Sequence, residues 1–361
     1  MPPAKGPQAQ TIGSAEFDPD AFLASWAQDF PTLLPQGNDL RSSIIAAFNL
    51  AQSDNYVYHA VASVTLAQVQ EAIQHGDENG LHAWYPDEAG KSSEHPPPTA
   101  ADIAAYTSIF ASTTSTSKSL NGYAANAKKA SHRASVAAHL QSKRLLPPSY
   151  VVAKLKSPHI NPYYDYWAWS CRNLEWAGPT ANTVQVKQSH HVLPVLMHHF
   201  GCVAPSYESL EVVKQSAKGR KVLDLGCGNG YWTHMLRRLG VPVDAVDNLQ
   251  SKYRTVWIND VMVEEGEKYL KTHNGAKDAL LLLVYPIVGS DFTARVLNAY
   301  AGSTICVAGT QNANGYTAFQ GRVIDEYMAA EKPAYVKTVQ IPLPSFAGKD
   351  EALFVFERFT E

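Results

Sequence analysis

The sequence predicts an α/β fold in which an all-helical N-terminal region precedes a doubly wound, seven-stranded sheet. Three observations indicate this fold. Apolar residues recur at helical spacing through residues 18–150, strand and helix patterns alternate beyond Lys221, and a glycine-rich turn follows the first of those strands. With 361 residues, 45% of them apolar, the chain can bury one large core or two ordinary ones.

Composition divides the chain into four predicted parts. Residues 1–17 lack the apolar stretch of a secretory signal, and we expect a disordered leader there. Residues 18–150 are predicted to be a helical N-terminal domain, and residues 151–217 an aromatic-rich connecting or lid segment. Residues 218–361 are then the sheet domain.

Helices are predicted where apolar residues recur three or four apart. The first begins at a capping Asp18 and runs to about Phe30, and others lie near 40–48, 64–73 and 103–109. An alanine-rich stretch, 124–143, is a further predicted helix that two prolines end. No apolar run approaches the roughly 20 residues of a membrane helix, and no membrane partner is predicted.

Seven short runs in the last part of the chain indicate strands. The run 278–285 is apolar throughout, which is typical of a central strand that is buried on both faces. Predicted helices separate the strands at 231–239, 292–300 and 318–330. The seven predicted strands are 221–226, 241–247, 261–263, 278–285, 303–308, 336–343 and 353–358.

The net charge of -3 hides an uneven distribution. Residues 103–164 contain eight basic and no acidic residues, which leaves 22 basic against 33 acidic residues elsewhere. Such a stretch can hold phosphates or can be an ordinary solvated helix surface. We favour the solvated surface because the charges alternate with Ala and Ser rather than with base-stacking aromatics. The eight are Lys118, Lys128, Lys129, Arg133, Lys143, Arg144, Lys154 and Lys156.

Cysteine, histidine and aromatic residues give weaker signals. Four cysteines without CxxC spacing indicate reduced thiols rather than a disulfide framework. His191 and His198 are seven residues apart, whereas metal-binding helices place ligands three or four apart, so no metal site is predicted. The aromatic cluster at 163–176 is either the wall of a pocket or a core that joins the helical region to the sheet.

The turn after the first predicted strand carries glycines at alternate positions. In Leu223-Asp-Leu-Gly-Cys-Gly-Asn-Gly, the three glycines Gly226, Gly228 and Gly230 allow a tight turn and the close approach of a ligand. This G-x-G-x-G spacing, preceded by the strand acid Asp224, differs from the dinucleotide pattern G-x-G-x-x-G. It resembles motif I of the Rossmann-like class I methyltransferases, which use S-adenosylmethionine.

The resemblance implies S-adenosylmethionine as the cofactor, with the glycine loop against its methionine part and Asp224 near its amino group. Asp247 stands seventeen residues after Gly230, at the end of the second strand. There it would accept hydrogen bonds from the ribose hydroxyls, with Asn248 beside it. Asp244 is the competitor for this role, but it lies in the middle of the strand.

Two further positions follow from the same resemblance. The family usually places a Gly-Asp pair after the third strand to meet the adenine, and Gly266-Glu267 occupies that place here. Tyr285 ends the fourth strand, from which such enzymes reach the methyl acceptor, and is the predicted catalytic residue. His190, His191 and the three tyrosines at 163, 164 and 166 could also position or deprotonate an acceptor.

Within the family, residues 200 to the C-terminus look like a group of uncharacterised methyltransferase-like proteins common in fungi. Those proteins tend to carry Trp-Pro-Pro after the fourth strand and Gly-Glu after the fifth, whereas this chain has Tyr285-Pro286-Ile287 and Gly309-Thr310. The Asn-Pro-Pro-Tyr pattern of nucleobase amine methylation is absent, which argues mildly against that acceptor.

Three functions remain open on the sequence. The first is methyl transfer to a small molecule, with the helical region and residues 158–200 as a lid over the cofactor. The second is methylation of RNA or another nucleic acid held by the basic stretch 118–156. The third is an inactive scaffold or regulatory protein that keeps the fold. We expect a cytoplasmic location, leave a nuclear one open and assign no oligomeric state.

Overall fold

The computed structural model describes residues 17–29, 32–52, 57–59, 63–76, 83–93, 95–187, 190–250, 253–288, 291–312 and 317–359. The predicted leader lies outside these ranges, except for Phe17. No helix in the described ranges combines the length and the apolar character that crossing a membrane requires.

The N-terminal region is mostly helical. Its elements are α1 (Pro19–Asp29), α2 (Leu40–Ala47), β1 (Val57–His59), β2 (Ser63–Thr65), α3 (Leu66–Gln74), α4 (Ala100–Ser108), α5 (Thr116–Ala125) and α6 (His132–Ser142). Side-chain caps fix several helix starts: Thr65 and Gln68 form a reciprocal capping box at α3, and Ser131 accepts a hydrogen bond from the Ala134 amide at α6.

Two expectations for this region are corrected. The region is not all-helical, because β1 and β2 pair antiparallel around the buried Tyr58. Strands of three residues are too short for the alternation of polar and apolar residues to reveal them. The predicted helix 124–143 is two helices, since α5 ends at Ala125 and α6 starts seven residues later behind its Ser131 cap.

The segment between the helical region and the sheet forms three α-helices and a short 3-10 helix. These are α7 (Pro162–Asn173), the 3-10 helix Ala181–Gln185, α8 (Leu193–Phe200) and α9 (Tyr207–Ala217). Tyr163, Tyr166 and Trp167 of α7 are fully buried, and the indoles of Trp167 and Trp176 both donate to the Ser345 carbonyl at 2.9 Å. The aromatic cluster is therefore a core that joins the helical region to the sheet.

The C-terminal part alternates strands and helices as predicted. Its elements are β3 (Val222–Leu225), α10 (Tyr231–Arg238), β4 (Val243–Asp247), β5 (Met262–Val263), α11 (Gly266–Thr272), the 3-10 helix Asn274–Ala276, β6 (Leu280–Val284), α12 (Phe292–Ala299), β7 (Thr304–Thr310), α13 (Ile324–Glu331), β8 (Tyr335–Pro342) and β9 (Glu351–Arg358). The strand order is β5-β4-β3-β6-β7-β9-β8, and β9 runs antiparallel to both of its neighbours. All seven predicted strands are present.

Strand alternation divides the apolar side chains between two cores. Leu223, Leu281 and Phe354 face the side covered by α11, α12 and α13. Val222, Leu282 and Val355 face the other side, in a core that continues through α7 to Phe22 of α1. The helical region and the sheet therefore share one hydrophobic core across the boundaries that composition suggested.

Candidate functional site

The topology of the sheet places a crevice at the carboxyl ends of β3 and β6. The chain leaves β3 toward β4 and β5 on one side, and leaves β6 toward β7 on the other. Doubly wound sheets bind ligands at such a switch point, because the connections on its two sides diverge. The glycine loop follows β3 at this edge, and Tyr285 follows β6.

The glycine loop is held in a conformation that requires glycine. Gly226, Gly228 and Gly230 all have left-handed backbones, with φ of 78°, 58° and 80°. A Cβ on Gly230 would lie 2.3 Å from Cγ1 of Ile258, so this glycine permits close packing. A Cβ on Gly228 would meet no atom within 4 Å, so the loop backbone borders open space there.

Asp247 connects the end of β4 to this loop. Its Oδ2 accepts a hydrogen bond from the Gly228 amide at 3.0 Å, and its Oδ1 accepts one from the Leu249 amide at 2.6 Å. The residue is 9% exposed, and burial raises the pKa of its carboxyl group. Each carboxylate oxygen has a second lone pair, so both remain able to accept a hydroxyl hydrogen bond. Asp244 instead pairs with Lys221 at 2.8 Å.

Asp224 is fully buried beneath the loop. Its Oδ2 accepts a hydrogen bond from the Thr233 hydroxyl at 2.6 Å, whereas its Oδ1 has no hydrogen-bond partner. The pKa of this carboxyl group is raised to about 7. Burial is the main cause and nearby Asp247 adds to it, while the hydrogen bond from Thr233 acts in the opposite direction. A buried carboxylate oxygen without a partner is costly, and a cationic ligand group would satisfy it.

This pKa predicts a pH-dependent affinity for a ligand that carries an ammonium group. Below pH 7 Asp224 is protonated and must lose its proton to pair with the cation. We expect the affinity for S-adenosylhomocysteine to fall by up to about tenfold per pH unit as the pH drops from 7 to 5.5. Titration calorimetry across this range measures it. Asp224→Asn should remove most of the dependence, and an equal slope in that variant would contradict the assignment.

Asn248 and Glu267, two of the residues predicted to bind the cofactor, have different neighbours in the structure. Asn248 follows β4, and its Nδ2 donates to Oε1 of Glu265 at 3.0 Å. Glu265 directly precedes α11 and is exposed. Glu267 lies one position into α11, where its carboxylate pairs with Lys271 and, at 3.6 Å, with Arg295. The geometry favours Glu265 over Glu267 as the acid beside the end of β4.

The Gly-Asp pattern of the family points to the acid that follows Gly266, so Glu265 is not among the residues that the sequence predicts. The signal that identifies Glu265 is its place between a strand and a helix. An acid at the position before a helix start lies at the carboxyl edge of the sheet, whereas an acid inside the first turn can point along the helix surface.

Tyr285 lies where the prediction placed it, directly after β6. It has a left-handed backbone with φ of 50°, and its amide donates to the Ala308 carbonyl of β7 at 2.7 Å. Burial raises the pKa of its phenol strongly, with further contributions from Glu351 and Cys202. The phenol therefore stays protonated at neutral pH, where it can donate a hydrogen bond but cannot act as a base.

Among the other predicted acceptor-side groups, the three tyrosines have structural partners, whereas the two ring nitrogens of His190 have no hydrogen-bond partner in the described ranges. The hydroxyls of Tyr163 and Tyr164 donate to the carbonyls of Gly201 and Thr107, at 2.8 and 3.0 Å. The Tyr166 hydroxyl is 2.8 Å from that of Ser43. His190 is fully buried, its ring stacks on Phe346 with centroids 4.8 Å apart, and burial lowers its pKa.

Metal-ligating side chains and cysteines are the two remaining groups that the sequence analysis considered. Within the described ranges, His, Cys, Asp and Glu side chains form no group of three or more that could hold a metal ion. Cys171 and Cys306 are buried free thiols, and Cys202 and Cys227 are partly buried free thiols.

Comparison with known proteins gives structural neighbours only. No protein-family model and no curated protein matches the chain. Magnesium protoporphyrin IX methyltransferase from Synechocystis, with bound S-adenosylmethionine, is 14% identical over 42% of this chain and 74% of its own, with a TM-score of 0.30. A Burkholderia thailandensis 1,6-didemethyltoxoflavin-N1-methyltransferase with S-adenosylhomocysteine is 16% identical over 42% and 76%, with a TM-score of 0.28.

A third neighbour is an rRNA methylase from Streptococcus thermophilus, 13% identical over 42% of this chain and 94% of its own, with a TM-score of 0.29. The sheet is Rossmann-like, and these neighbours are methyltransferases.

Proposed function

We propose that the protein is an S-adenosylmethionine-dependent methyltransferase that acts on a small molecule. The observation that carries the proposal is the pair of buried carboxyl groups, Asp224 and Asp247, beside a glycine loop that borders open space. A cofactor with a cationic amino group and ribose hydroxyls would donate the hydrogen bonds that these two carboxyl groups can still accept. Glycines at 226, 228 and 230 leave the backbone accessible to it.

The residues present fit this cofactor. Asp224 would pair with its amino group through the unpartnered Oδ1, and Asp247 would accept hydrogen bonds from its ribose hydroxyls. Asn248 and Glu265, joined by their own hydrogen bond, would border the adenine. When bound, the cofactor supplies an activated methyl group, so the protein must chiefly orient an acceptor and exclude water.

Helix α8, in the segment between the helical region and the sheet, packs against the glycine loop. The indole of Trp257 donates to the His199 carbonyl at 2.6 Å, and its amide donates to the Asn229 carbonyl of the glycine loop at 2.8 Å. Asn229 in turn donates from its side chain to the same His199 carbonyl at 3.3 Å. These bonds tie α8 to the loop. A helix held against the loop in this way favours a small acceptor, because it limits the space beside the cofactor residues.

Nucleic acid is the less favoured acceptor. In the basic stretch, Arg133 pairs with Asp102 at 3.1 Å, and Arg144 binds both carboxylate oxygens of Glu208 at 2.6 and 2.9 Å. These two cations stabilise the fold and are not free to hold phosphates. Of the six remaining lysines of the stretch, Lys118 lies on α5 and the other five lie in the connections between helices.

Methyl transfer from isotope-labelled S-adenosylmethionine tests the proposal. The wild-type protein is incubated with the small-molecule and RNA fractions of a cell extract, and Asp247→Ala serves as the inactive comparison. We expect label in the small-molecule fraction that depends on Asp247. Label confined to RNA would favour the nucleic-acid function. No label in either fraction, from protein that binds the cofactor, would favour a scaffold.

A further inference from the structure

A third buried carboxyl group, that of Glu351, lies at the same edge of the sheet outside the predicted cofactor residues. Glu351 begins β9, and the strand register places it opposite Thr310, the last residue of β7. Leu353 and Val355 follow Glu351 at two-residue intervals, so all three side chains lie on the same face of β9. Leu353 and Val355 face the helical side of the sheet. Glu351 therefore belongs to the acceptor end of the crevice, on the side covered by the helical region.

The carboxyl group of Glu351 has no partner that would explain its burial. The residue is 3% exposed, and its Oε2 accepts no hydrogen bond. Within the described ranges, no cation lies within ion-pair distance of it. Its neighbour Asp350 contrasts with it, because Asp350 is bonded to His139 at 2.9 Å and to Gln311 at 2.6 Å. A buried polar atom left unpaired next to a satisfied one is a candidate ligand group.

The charged and titratable groups around Glu351 are few. The pKa of Glu351 is raised to about 8. Burial is the main cause, the Lys349 ammonium acts in the opposite direction, and Asp350 adds to the increase. Glu351 is close enough to Tyr163 and Tyr285 to raise the pKa of both phenols. Glu351 can therefore exchange a proton near neutral pH.

Two more groups couple to the same tyrosines. Cys202 contributes to the raised pKa of Tyr163 and of Tyr285, and Arg254 acts on Tyr163 in the opposite direction. The Arg254 guanidinium donates to the Cys202 sulfur at 3.5 Å, so its charge is directed to the thiol. The groups that act on Glu351 or on these two tyrosines thus include one thiol, one ammonium group, one guanidinium group and the carboxyl group of Asp350.

We propose that Glu351 binds the methyl acceptor as an ammonium ion and removes its proton, so that the substrates are primary or secondary amines. This inference rests on the proposed function. A buried carboxylate oxygen without a hydrogen-bond partner attracts a cation. In the proton transfer, an ammonium N–H bond breaks, an O–H bond forms on Oε2, and the electron pair stays on nitrogen as the lone pair that methylation requires.

Small amines test the chemistry of this subsite without knowledge of the natural substrate. Ethylamine and benzylamine are titrated by calorimetry at pH 7 into wild-type protein saturated with S-adenosylhomocysteine, in two buffers with different protonation enthalpies. We expect the release of about one proton per bound amine, because Glu351 is mostly protonated beforehand. Benzyl alcohol, the neutral analogue of benzylamine, should bind at least about tenfold more weakly and release none.

Two variants complete the test. Glu351→Gln should weaken amine binding by about tenfold or more and abolish proton release, with S-adenosylhomocysteine affinity unchanged. Glu357→Gln is the matched control, since Glu357 lies on the same strand and pairs with Lys218 at 2.8 Å. Wild-type protein that binds the amines no better than benzyl alcohol, or a Glu351→Gln variant that keeps proton release, would overturn the inference. Failure to bind S-adenosylhomocysteine at all would contradict the proposed function instead.

Discussion

Asp247→Ala is expected to weaken the binding of S-adenosylmethionine and S-adenosylhomocysteine by about a hundredfold. Two ribose hydrogen bonds to a carboxylate, at roughly 1.5 kcal/mol each, correspond to that factor. The substitution also removes the acceptor that holds the Gly228 amide at 3.0 Å, which loosens the glycine loop. Titration calorimetry at pH 7.5, above the pKa of about 7 of Asp224, measures the effect while most of that group is ionised.

Asp244→Ala is the control for this prediction. Asp244 lies three residues earlier on β4, and its carboxylate pairs with Lys221 at 2.8 Å near the surface. We expect the cofactor affinity of this variant to stay within about twofold of wild type, because an exposed ion pair is worth little. A similar loss of affinity in both variants would show that Asp247 has no specific role.

Trp257→Ala is expected to lower the free energy of unfolding by roughly 3–5 kcal/mol, the usual cost of truncating a large buried aromatic residue. Trp257 is 1% exposed, and its ring meets Phe17 and Phe22 near the N-terminus at centroid distances of 5.1 and 5.5 Å. It also meets Tyr231 of α10 at 4.7 Å. One side chain thus packs on both the helical region and the sheet part.

Urea unfolding of Trp257→Ala measures this cost, with Tyr253→Ala as the control. Tyr253 belongs to the same connection after β4 but is 42% exposed, and its loss should cost no more than about 1 kcal/mol. We expect a single transition for the wild-type protein, because one core spans both regions. Two separate transitions, with only one shifted by Trp257→Ala, would mean that the regions fold independently.

The sequence predicted the sheet well because its strands carry strong local signals. The run 278–285 and the strand before the glycine turn are short, apolar and bounded by turns, which fixes their type without knowledge of their neighbours. The glycine spacing likewise indicates a tight turn, and all three glycines have a left-handed φ that such a turn uses. Strand order follows from the alternation of strands and helices through the handedness of the connections.

The packing between distant regions and the positions of two acidic side chains depend on contacts that no local sequence pattern contains. The core shared by Phe22 and Val355 joins residues more than 300 positions apart, so composition could not show that these two regions pack together. Glu351 looked like an ordinary charged residue near a strand start, and only the pairing of β9 with β7 brings it to the crevice. Glu265 and Glu267 are chemically alike, but Glu265 directly precedes α11 and Glu267 lies in its first turn.

The central claim is that the loop after β3 and the end of β4 hold S-adenosylmethionine. The most direct test is calorimetric titration of S-adenosylmethionine and S-adenosylhomocysteine into the wild-type chain at pH 7.5. The account predicts saturable binding of both ligands in the micromolar range, at one site per chain. A well-folded protein that binds neither ligand would contradict it.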